Sequence, residues 1–474
     1  MSSCLVLSPD SSPLVSLRLA WKTGSAQDGR GREGQAWMTA FLLASGGSRL
    51  KTHKQILDAL FPMAVSVASS VDKEMTAFWM KTHVSHLERA YGVFKEMLLD
   101  PGWREDDFER LRADSVNLLE VTLRNENDEE LAKEALQGEI FRGHPYAHHS
   151  AGSVSSLNRL AVSDLREFHA AQFARENLII GIGGGFPRGF DSRVVQDFST
   201  LPLRAAAARP APEPAPVERS SALLIEKSAR GVAISLGFPI AVTRGHPDYP
   251  ALLLATSCFG QHRASSGRLF QRMRQARGLN YGDYAYIEPF PGGMYSLENQ
   301  QHLCRSRQIF EIWIRPVERG HASFALRLAL HELDKLVSEG LTEEEFERTR
   351  RFLSKHVLLL ARRREEELGF RMDSLWYGIP PYPEYIRRSL AALSVDDVNR
   401  AVARHLRADR LRIVMAGEGM DALRDELLSA RPSSISYNSP KPAAILAEDC
   451  IAAARPLRLD SAGIRIAPSS EMFA

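Results

Sequence analysis

A histidine followed directly by a glutamate begins the HExxH motif with which many enzymes hold zinc and activate water, and the sequence contains one such pair, His331 and Glu332. A zinc-binding helix of the HExxH kind needs a second histidine four residues after the first, on the same helix face. Residue 335 is a lysine, Lys335, whose positive charge disfavours a metal cation. This pair therefore does not predict a metal centre.

The sequence lacks two other kinds of catalytic signal, a nucleophile motif and a phosphate-binding loop. No GxSxG segment and no P-loop pattern occur in the chain. The glycine run GIGGG at 181–185 follows a predicted strand, but no phosphate-binding helix begins after it. We interpret this run as a turn.

Composition excludes several classes of partner. The 474 residues carry a formal net charge of +2, with 60 basic and 58 acidic side chains, which offers no general attraction for nucleic acid. No apolar run reaches the ~18 residues that a membrane span needs. The first residues lack the basic and apolar regions of a signal peptide, so we expect a cytoplasmic protein, or a periplasmic one if the start is mis-assigned. The four cysteines are far apart and are expected to be free thiols.

The chain repeats itself, which indicates a duplicated domain. DDFERLR at 106–112 returns as EEFERTR at 344–350, and the helix–strand segment that starts at Leu160 returns at Leu393. A strand and helix near residue 14 have counterparts near residue 232. The pattern predicts an α+β fold, in which a unit with a mainly antiparallel sheet flanked by helices occurs twice in tandem.

Four segments follow from this organisation. The prolines at 210, 212, 214 and 216 resist both helix and sheet and mark a connector between the two copies. Residues beyond 430 are rich in proline and serine and have no counterpart in the repeat. The predicted segments are an N-terminal domain 1–203, a linker 204–220, a C-terminal domain 221–430 and a tail 431–474.

One helix organises the first copy, GQAWMTAFLLASGG at 34–47. Its apolar residues recur at intervals of three and four, which predicts a continuous buried face. The glycines at 46 and 47 predict its end. By itself this pattern indicates a core helix.

The duplicated unit, the GxA start of this helix and its GG stop together resemble the pitrilysin/insulinase family of zinc peptidases, over about residues 5–430. In active members the equivalent helix carries HxxEH, whose histidines bind zinc. The resemblance places Trp37 and Phe41 at the histidine positions and Ala40 at the glutamate position. The family's third ligand is a glutamate in a VxxE context; here VNLLE puts Leu119, not Glu120, at that spacing. A zinc site at the family position is therefore not expected.

The loop HPYAHHSAG brings His144, His148 and His149 close together in sequence. Clustered loop histidines can bind a metal. The alternative is favoured here, because the GHPY segment resembles a structural loop that active family members also have outside their zinc shell.

The second copy keeps a motif that the first lacks. GRLFQRMRQARGLNY from Gly267 is similar to the family's C-terminal-domain signature, in which an arginine and a tyrosine seven residues apart hold the substrate peptide. The matching residues here are Arg274 and Tyr281. Their alternative roles are a surface charge and a core aromatic side chain.

The resemblance implies a zinc-free subunit that binds no cofactor itself. With a zinc-bearing partner that carries HxxEH, it would form a clamshell peptidase acting on unfolded peptides. Its own contribution would be the substrate-binding Arg274 and Tyr281. The alternative is an inert scaffold or peptide-binding protein of the same fold, and neither function involves nucleic acid or a membrane.

Overall fold

The computed structural model describes residues 3–203, 211–261, 265–290 and 301–474, which form two sheets, each flanked by helices. The strands of the N-terminal half (N half) are β1 Ser3–Val6, β2 Leu14–Trp21, β3 Val67–Val71, β4 Thr76–His83 and β5 Leu178–Gly184. Its helices are α1 Gln35–Ser45, α2 His53–Leu60, α3 Leu87–Leu99, α4 Glu105–Asn117, α5 Asp128–Ile140, α6 Val154–Arg159, α7 Val162–Gln172 and α8 Phe190–Phe198.

The C-terminal half (C half) has the same kinds of elements. Its strands are β6 Ser221–Glu226, β7 Val232–Ile240, β8 Asp283–Tyr286, β9 Gln308–Val317, β10 Arg412–Gly417 and β11 Ile464–Pro468. Its helices are α9 Tyr249–Gly260, α10 Ala322–Glu339, α11 Glu343–Leu359, α12 Arg364–Tyr377, α13 Tyr382–Ala392, α14 Val395–His405, α15 Met420–Leu428 and α16 Ala443–Ala453.

The strand order confirms the predicted duplication. The N-half sheet runs β1-β5-β2-β4-β3 and the C-half sheet runs β11-β6-β10-β7-β9-β8, so that β6 to β10 take the places of β1 to β5. Among the strand pairs of the described residues, β1–β5, β6–β10 and β6–β11 are parallel and the others are antiparallel. The α+β fold with mainly antiparallel sheets is therefore confirmed.

One helix of each half packs against the sheet of the other half. Helix α12 of the C half packs on β5 of the N-half sheet, and its residues Leu368 and Met372 are fully buried there. Gly181 permits this approach, since a Cβ atom there would lie 2.4 Å from the Met372 sulfur. In the opposite direction, α5 of the N half packs on β7 and β10 of the C half. Packing thus joins the halves more closely than the repeat in the sequence suggests.

Helices α4 and α5 are joined by a segment of a different helical type. After α4 the backbone forms a π-helical segment at Leu118–Glu126, and Asn127 leaves the helical conformation. The Asn127 side chain accepts a hydrogen bond from the amide of Glu130 at 3.1 Å, which caps α5. Asparagine favours such a start because its carbonyl satisfies a free amide of the first turn.

The segment predicted as a Pro/Ser-rich tail carries regular structure. It contains α16, and β11 adds a parallel strand beside β6 at the edge of the C-half sheet. Residues 211–220 of the predicted linker contain neither helix nor strand, whereas residues 204–210 lie outside the described part of the chain. All four cysteines are free thiols, as predicted. Among the described residues, no helix combines the length and the apolar character needed to cross a bilayer.

Candidate functional site

Helix α1 begins at a position that only glycine fits easily. Gly34 has a φ of 94°, and a Cβ atom there would lie 2.5 Å from the carbonyl oxygen of Ala151. The buried carboxylate of Asp28 accepts hydrogen bonds from the amides of Gly34 and Ala36, both at 2.7 Å. His148 contacts the same carboxylate, with its Nε2 3.1 Å from Oδ2. Burial is the main reason that the pKa of Asp28 is raised.

The face of α1 that would carry zinc ligands is filled by aromatic and methyl groups. The rings of Trp37 and Phe41 pack against each other with centroids 4.3 Å apart. The Trp37 indole donates a hydrogen bond to the hydroxyl of Ser115 at 3.2 Å, and Ala40 is completely buried. An indole N–H is a donor only, and methyl and phenyl groups have no lone pair.

Glu120, the carboxylate nearest in sequence to the position of the family's third zinc ligand, pairs with an arginine. Glu120 is 44% exposed and forms an ion pair with Arg124, one turn further along, at 3.3 Å. Leu119, at the strict family spacing, is fully buried with Met38 and Leu42 of α1. The residues at the three family positions and at this spacing do not fit a zinc ion, which needs about three nitrogen, oxygen or sulfur ligands.

The three loop histidines have separate partners. His144 accepts a hydrogen bond at Nδ1 from the amide of Tyr146 and donates from Nε2 to the carbonyl of Pro212 at 2.9 Å. His148 contacts Asp28, and His149 accepts a hydrogen bond at Nδ1 from the amide of Ala151 at 3.1 Å, in a half-buried position where desolvation lowers its pKa. These contacts favour the predicted structural loop over a shared metal.

Arg274 and Tyr281 lie together on the surface of the C half. The guanidinium carbon of Arg274 is 4.3 Å from the centroid of the Tyr281 ring, and its Nη1 donates to the Tyr281 carbonyl at 3.0 Å. Tyr281 is 70% exposed, so it is not a core residue. The spacing of seven residues brings the two side chains into contact because the chain turns between the π-helical segment Phe270–Gln275 and β8.

Two further residues lie beside this pair, and the sequence did not predict that they belong to the site. Asp283 is completely buried, and its Oδ1 accepts a hydrogen bond from Asn280 at 2.6 Å. Burial raises the pKa of Asp283 to about 8. Arg315 of β9 lies 5.7 Å from the Tyr281 ring centroid and pairs with Glu129 of α5 at 3.0 Å. The pair thus borders the helix that the N half lends, which no local sequence pattern could reveal.

The C half also contains a cavity between α9, β8, α11 and α13. Its volume is about 60 Å³, and its lining includes Leu253, Ser257, His356 and Tyr382. Helices α9 and α11 pack on each other as their counterparts α1 and α4 do. The cavity therefore lies where the N half has its aromatic pair.

Two groups of histidine and carboxylate side chains come together in the C half, although the sequence separates them widely. In one, the Asp248 carboxylate contacts His405 Nε2 at 2.7 Å and also accepts from Arg404 at 2.9 Å. The third member, His246, accepts the amide of Asp248 at Nδ1.

The other group joins His331 and Glu332 to Glu448, and its carboxylates pair with arginines. Arg272 contacts both Glu332 and Glu448, and Arg277 donates to Glu448 at 2.6 Å. In both groups the negative charge is thus matched by basic side chains.

Comparison with protein families gives matches along most of the chain. Residues 5–153 match the model described as insulinase (peptidase family M16), and residues 159–353 match the peptidase M16 inactive domain. An uncharacterised zinc protease of Mycobacterium bovis is 25% identical over 381 residues, which cover 75% of this chain and 80% of the relative. The non-peptidase homologue YmxG of Helicobacter pylori is 20% identical over 83% of this chain and 86% of its own.

Solved structures share the fold. A peptidase M16 inactive domain from Pseudomonas fluorescens superposes with a TM-score of 0.77 at 24% identity, over 88% of this chain and 97% of that one. A chain of Complex III2 from Candida albicans has a TM-score of 0.68 at 13% identity, over 87% and 93% of the two chains. Matches to both family domains and the duplicated sheets agree, and the chain belongs to the insulinase (M16) peptidase family.

Proposed function

We propose that this chain is a zinc-free, non-catalytic subunit of a heteromeric M16 peptidase. The observation that carries the proposal is the contrast between the packed ligand face of α1, with Trp37, Ala40 and Phe41, and the exposed Arg274–Tyr281 pair. The α1 face offers no side chain that can bind zinc. The Arg274–Tyr281 pair presents a guanidinium and a phenol at the surface, where a partner that carries HxxEH would bring a peptide.

The chemistry of the pair suits peptide binding. A guanidinium offers several N–H donors in a fixed plane, and a phenol can donate to a carbonyl as negative charge develops on its oxygen. Stacking on Tyr281 restricts the Arg274 side chain, so that less conformational entropy is lost when it binds. We expect the pair to hold the main chain of an unfolded peptide while the partner's zinc centre cleaves it.

Purification of the chain with a zinc-bearing family member, and assay of the pair on unfolded peptides, tests the proposal. Arg274→Ala and Tyr281→Phe should each lower kcat/KM of the pair at least tenfold. Arg348→Ala and Tyr385→Phe, at exposed and half-buried positions elsewhere in the C half, serve as matched controls. Chelator-sensitive cleavage by the purified chain alone would overturn the proposal.

A second candidate is an inert scaffold or peptide-binding protein. It is supported by the similarity of the fold to a chain of Complex III2. If the paired enzyme kept full activity with Arg274→Ala, the scaffold would be favoured.

A further inference from the structure

Residues 469–474, SSEMFA, connect the C half to the N half. They follow β11 at the edge of the C-half sheet, and Ser469–Glu471 form a short helical turn. This turn packs on the π-helical segment Leu118–Glu126. The segment therefore lies beside the layer that contains α1.

The N half binds the main chain of this segment. Three consecutive main-chain oxygens accept hydrogen bonds from N-half donors. These are Met472 O from Arg124 Nε and Nη2 at 3.0 and 2.8 Å, Phe473 O from the Val154 amide at 2.9 Å, and Ala474 O from the Ser155 hydroxyl at 3.1 Å. Main-chain hydrogen bonds combined with side-chain contacts are a usual way of binding an extended peptide.

The side chains of the segment make apolar contacts on the same surface. Met472 is 9% exposed, within the core shared by α5 and the C-half sheet. The Phe473 ring meets the ring of His149 edge to face, with centroids 5.6 Å apart. His149 in turn lies 6.5 Å from Trp37, so Phe473 extends the row of rings that fills the zinc-ligand face of α1.

The main donor is held by a residue outside the segment. Arg124 Nη1 pairs with Glu120 at 3.3 Å, while the Nε and Nη2 edge of the same guanidinium faces Met472 O. The arginine is thus oriented by its own helix. Phe473 adopts a φ of 58°, a left-handed conformation that is rare for an aromatic residue. The bound conformation therefore depends on the surface that receives it.

We propose that Arg124, Val154, Ser155 and the rings of His149 and Trp37 form a peptide-binding site, which residues 469–474 occupy intramolecularly. The ligand class is a short peptide with a methionine followed by an aromatic residue. Because β11 tethers the segment beside the site, its effective concentration is on the order of millimolar, and external peptides compete poorly. This inference concerns a different surface from Arg274 and Tyr281, and it requires no zinc-bearing partner.

The test uses a chain that stops after Pro468, so that β11 is kept, and a fluorescein-labelled SSEMFA peptide. Fluorescence anisotropy should show saturable binding to the shortened chain and at least tenfold weaker binding to the full chain. A peptide with both Met and Phe replaced by alanine should bind the shortened chain at least tenfold more weakly. Arg124→Ala in the shortened chain should abolish binding, whereas Arg110→Ala, an arginine of α4, should not.

Circular dichroism and gel filtration establish whether the shortened chain is folded. If it does not fold, Phe473→Ala in the full chain replaces it, since this change should loosen the segment and allow the labelled peptide to bind. A folded shortened chain that binds no peptide would overturn the proposal. Equal binding to the full and shortened chains would also overturn it, because the peptide would then occupy another surface.

Discussion

The two halves share a strand order and a helix arrangement, but they differ in how the space between two equivalent helices is filled. In the N half, the space between α1 and α4 is filled by Trp37 and Phe41. In the C half, the space between α9 and α11 contains a cavity of about 60 Å³. The sheets and their core helices determine the fold, so this one helix face can change its side chains while the architecture stays the same.

The difference also separates packing from chemistry. At the face between α1 and α4 the N half has packed apolar side chains, which stabilise a folded chain. The C half keeps polar groups at its surface, where the exposed Arg274–Tyr281 contact contributes little stability. Each prediction below changes one side of this comparison.

Restoring the family's zinc ligands in α1 should cause the largest change. The triple substitution Trp37→His, Ala40→Glu and Phe41→His removes two packed rings and buries a carboxylate at a position that is completely enclosed. We expect the free energy of unfolding to fall by about 2–5 kcal/mol in urea denaturation. Trp37→Phe, which keeps an aromatic ring, should cost less than about 1.5 kcal/mol. A triple variant that bound zinc with unchanged stability would show that the site had remained open.

The second largest difference is expected between the carboxylates at the starts of the equivalent helices α1 and α9, in the stability that each contributes. Asp28→Ala removes a buried acceptor from two amides of α1 and from His148, at an expected cost of about 2 kcal/mol. At the start of α9, the Asp248 side chain accepts no hydrogen bond from a helix amide; it is partly exposed and pairs with His405 and Arg404. Asp248→Ala should therefore cost less than about 1 kcal/mol. Equal losses in thermal and urea unfolding would contradict this contrast.

The buried carboxyl beside Tyr281 predicts a dependence on pH. Since burial raises the pKa of Asp283 to about 8, the folded state binds its proton more tightly than the unfolded state. The associated stability is complete below the ordinary pKa of about 4 and is lost as the pH rises towards 8. Between pH 5 and pH 8 the free energy of unfolding of the wild type, measured by urea denaturation, should therefore fall relative to that of Asp283→Asn. Parallel stability profiles of the two proteins would show that Asp283 is not the group responsible.

Much of the fold followed from the sequence. The repeats near residues 106 and 160 predicted the duplication, and the strand expected near residue 14 and the periodic helix at 34–47 correspond to β2 and α1, because burial on one face leaves a local pattern. The packing of α5 on the C-half sheet and of α12 on the N-half sheet could not be predicted from the sequence. Residues such as Gly181 and Met372 meet across 191 positions of the chain, and no local pattern records such a contact.

The candidate site was predicted unevenly for the same reason. Trp37, Ala40 and Phe41 could be placed because they lie on one helix within a family motif, and Arg274 and Tyr281 because seven residues separate them. Arg315 approaches Tyr281 through the pairing of β8 with β9, and residues 469–474 reach Val154 from the far end of the chain. Such contacts depend on tertiary structure, which the spacing of residues does not specify.

The smallest predicted effect compares one serine in each equivalent helix. Ser257 of α9 lines the cavity, is 6% exposed, and has a buried hydroxyl without a hydrogen-bond partner among the residues that the structure describes. Ser257→Ala removes this hydroxyl and improves helix propensity, so the free energy of unfolding should rise by about 0.5 kcal/mol.

Ser45 of α1 provides the control, because its hydroxyl donates to the carbonyl of Phe41 at 2.8 Å. Ser45→Ala loses this hydrogen bond while it gains the same propensity, so its stability should change by less than about 0.3 kcal/mol. Urea denaturation of both variants beside the wild type makes the comparison. If Ser257→Ala were instead the more destabilising of the two changes, the Ser257 hydroxyl would have to bind water in the cavity. The C-half cavity would then be a hydrated polar site, and not an unfilled counterpart of the packed N-half face.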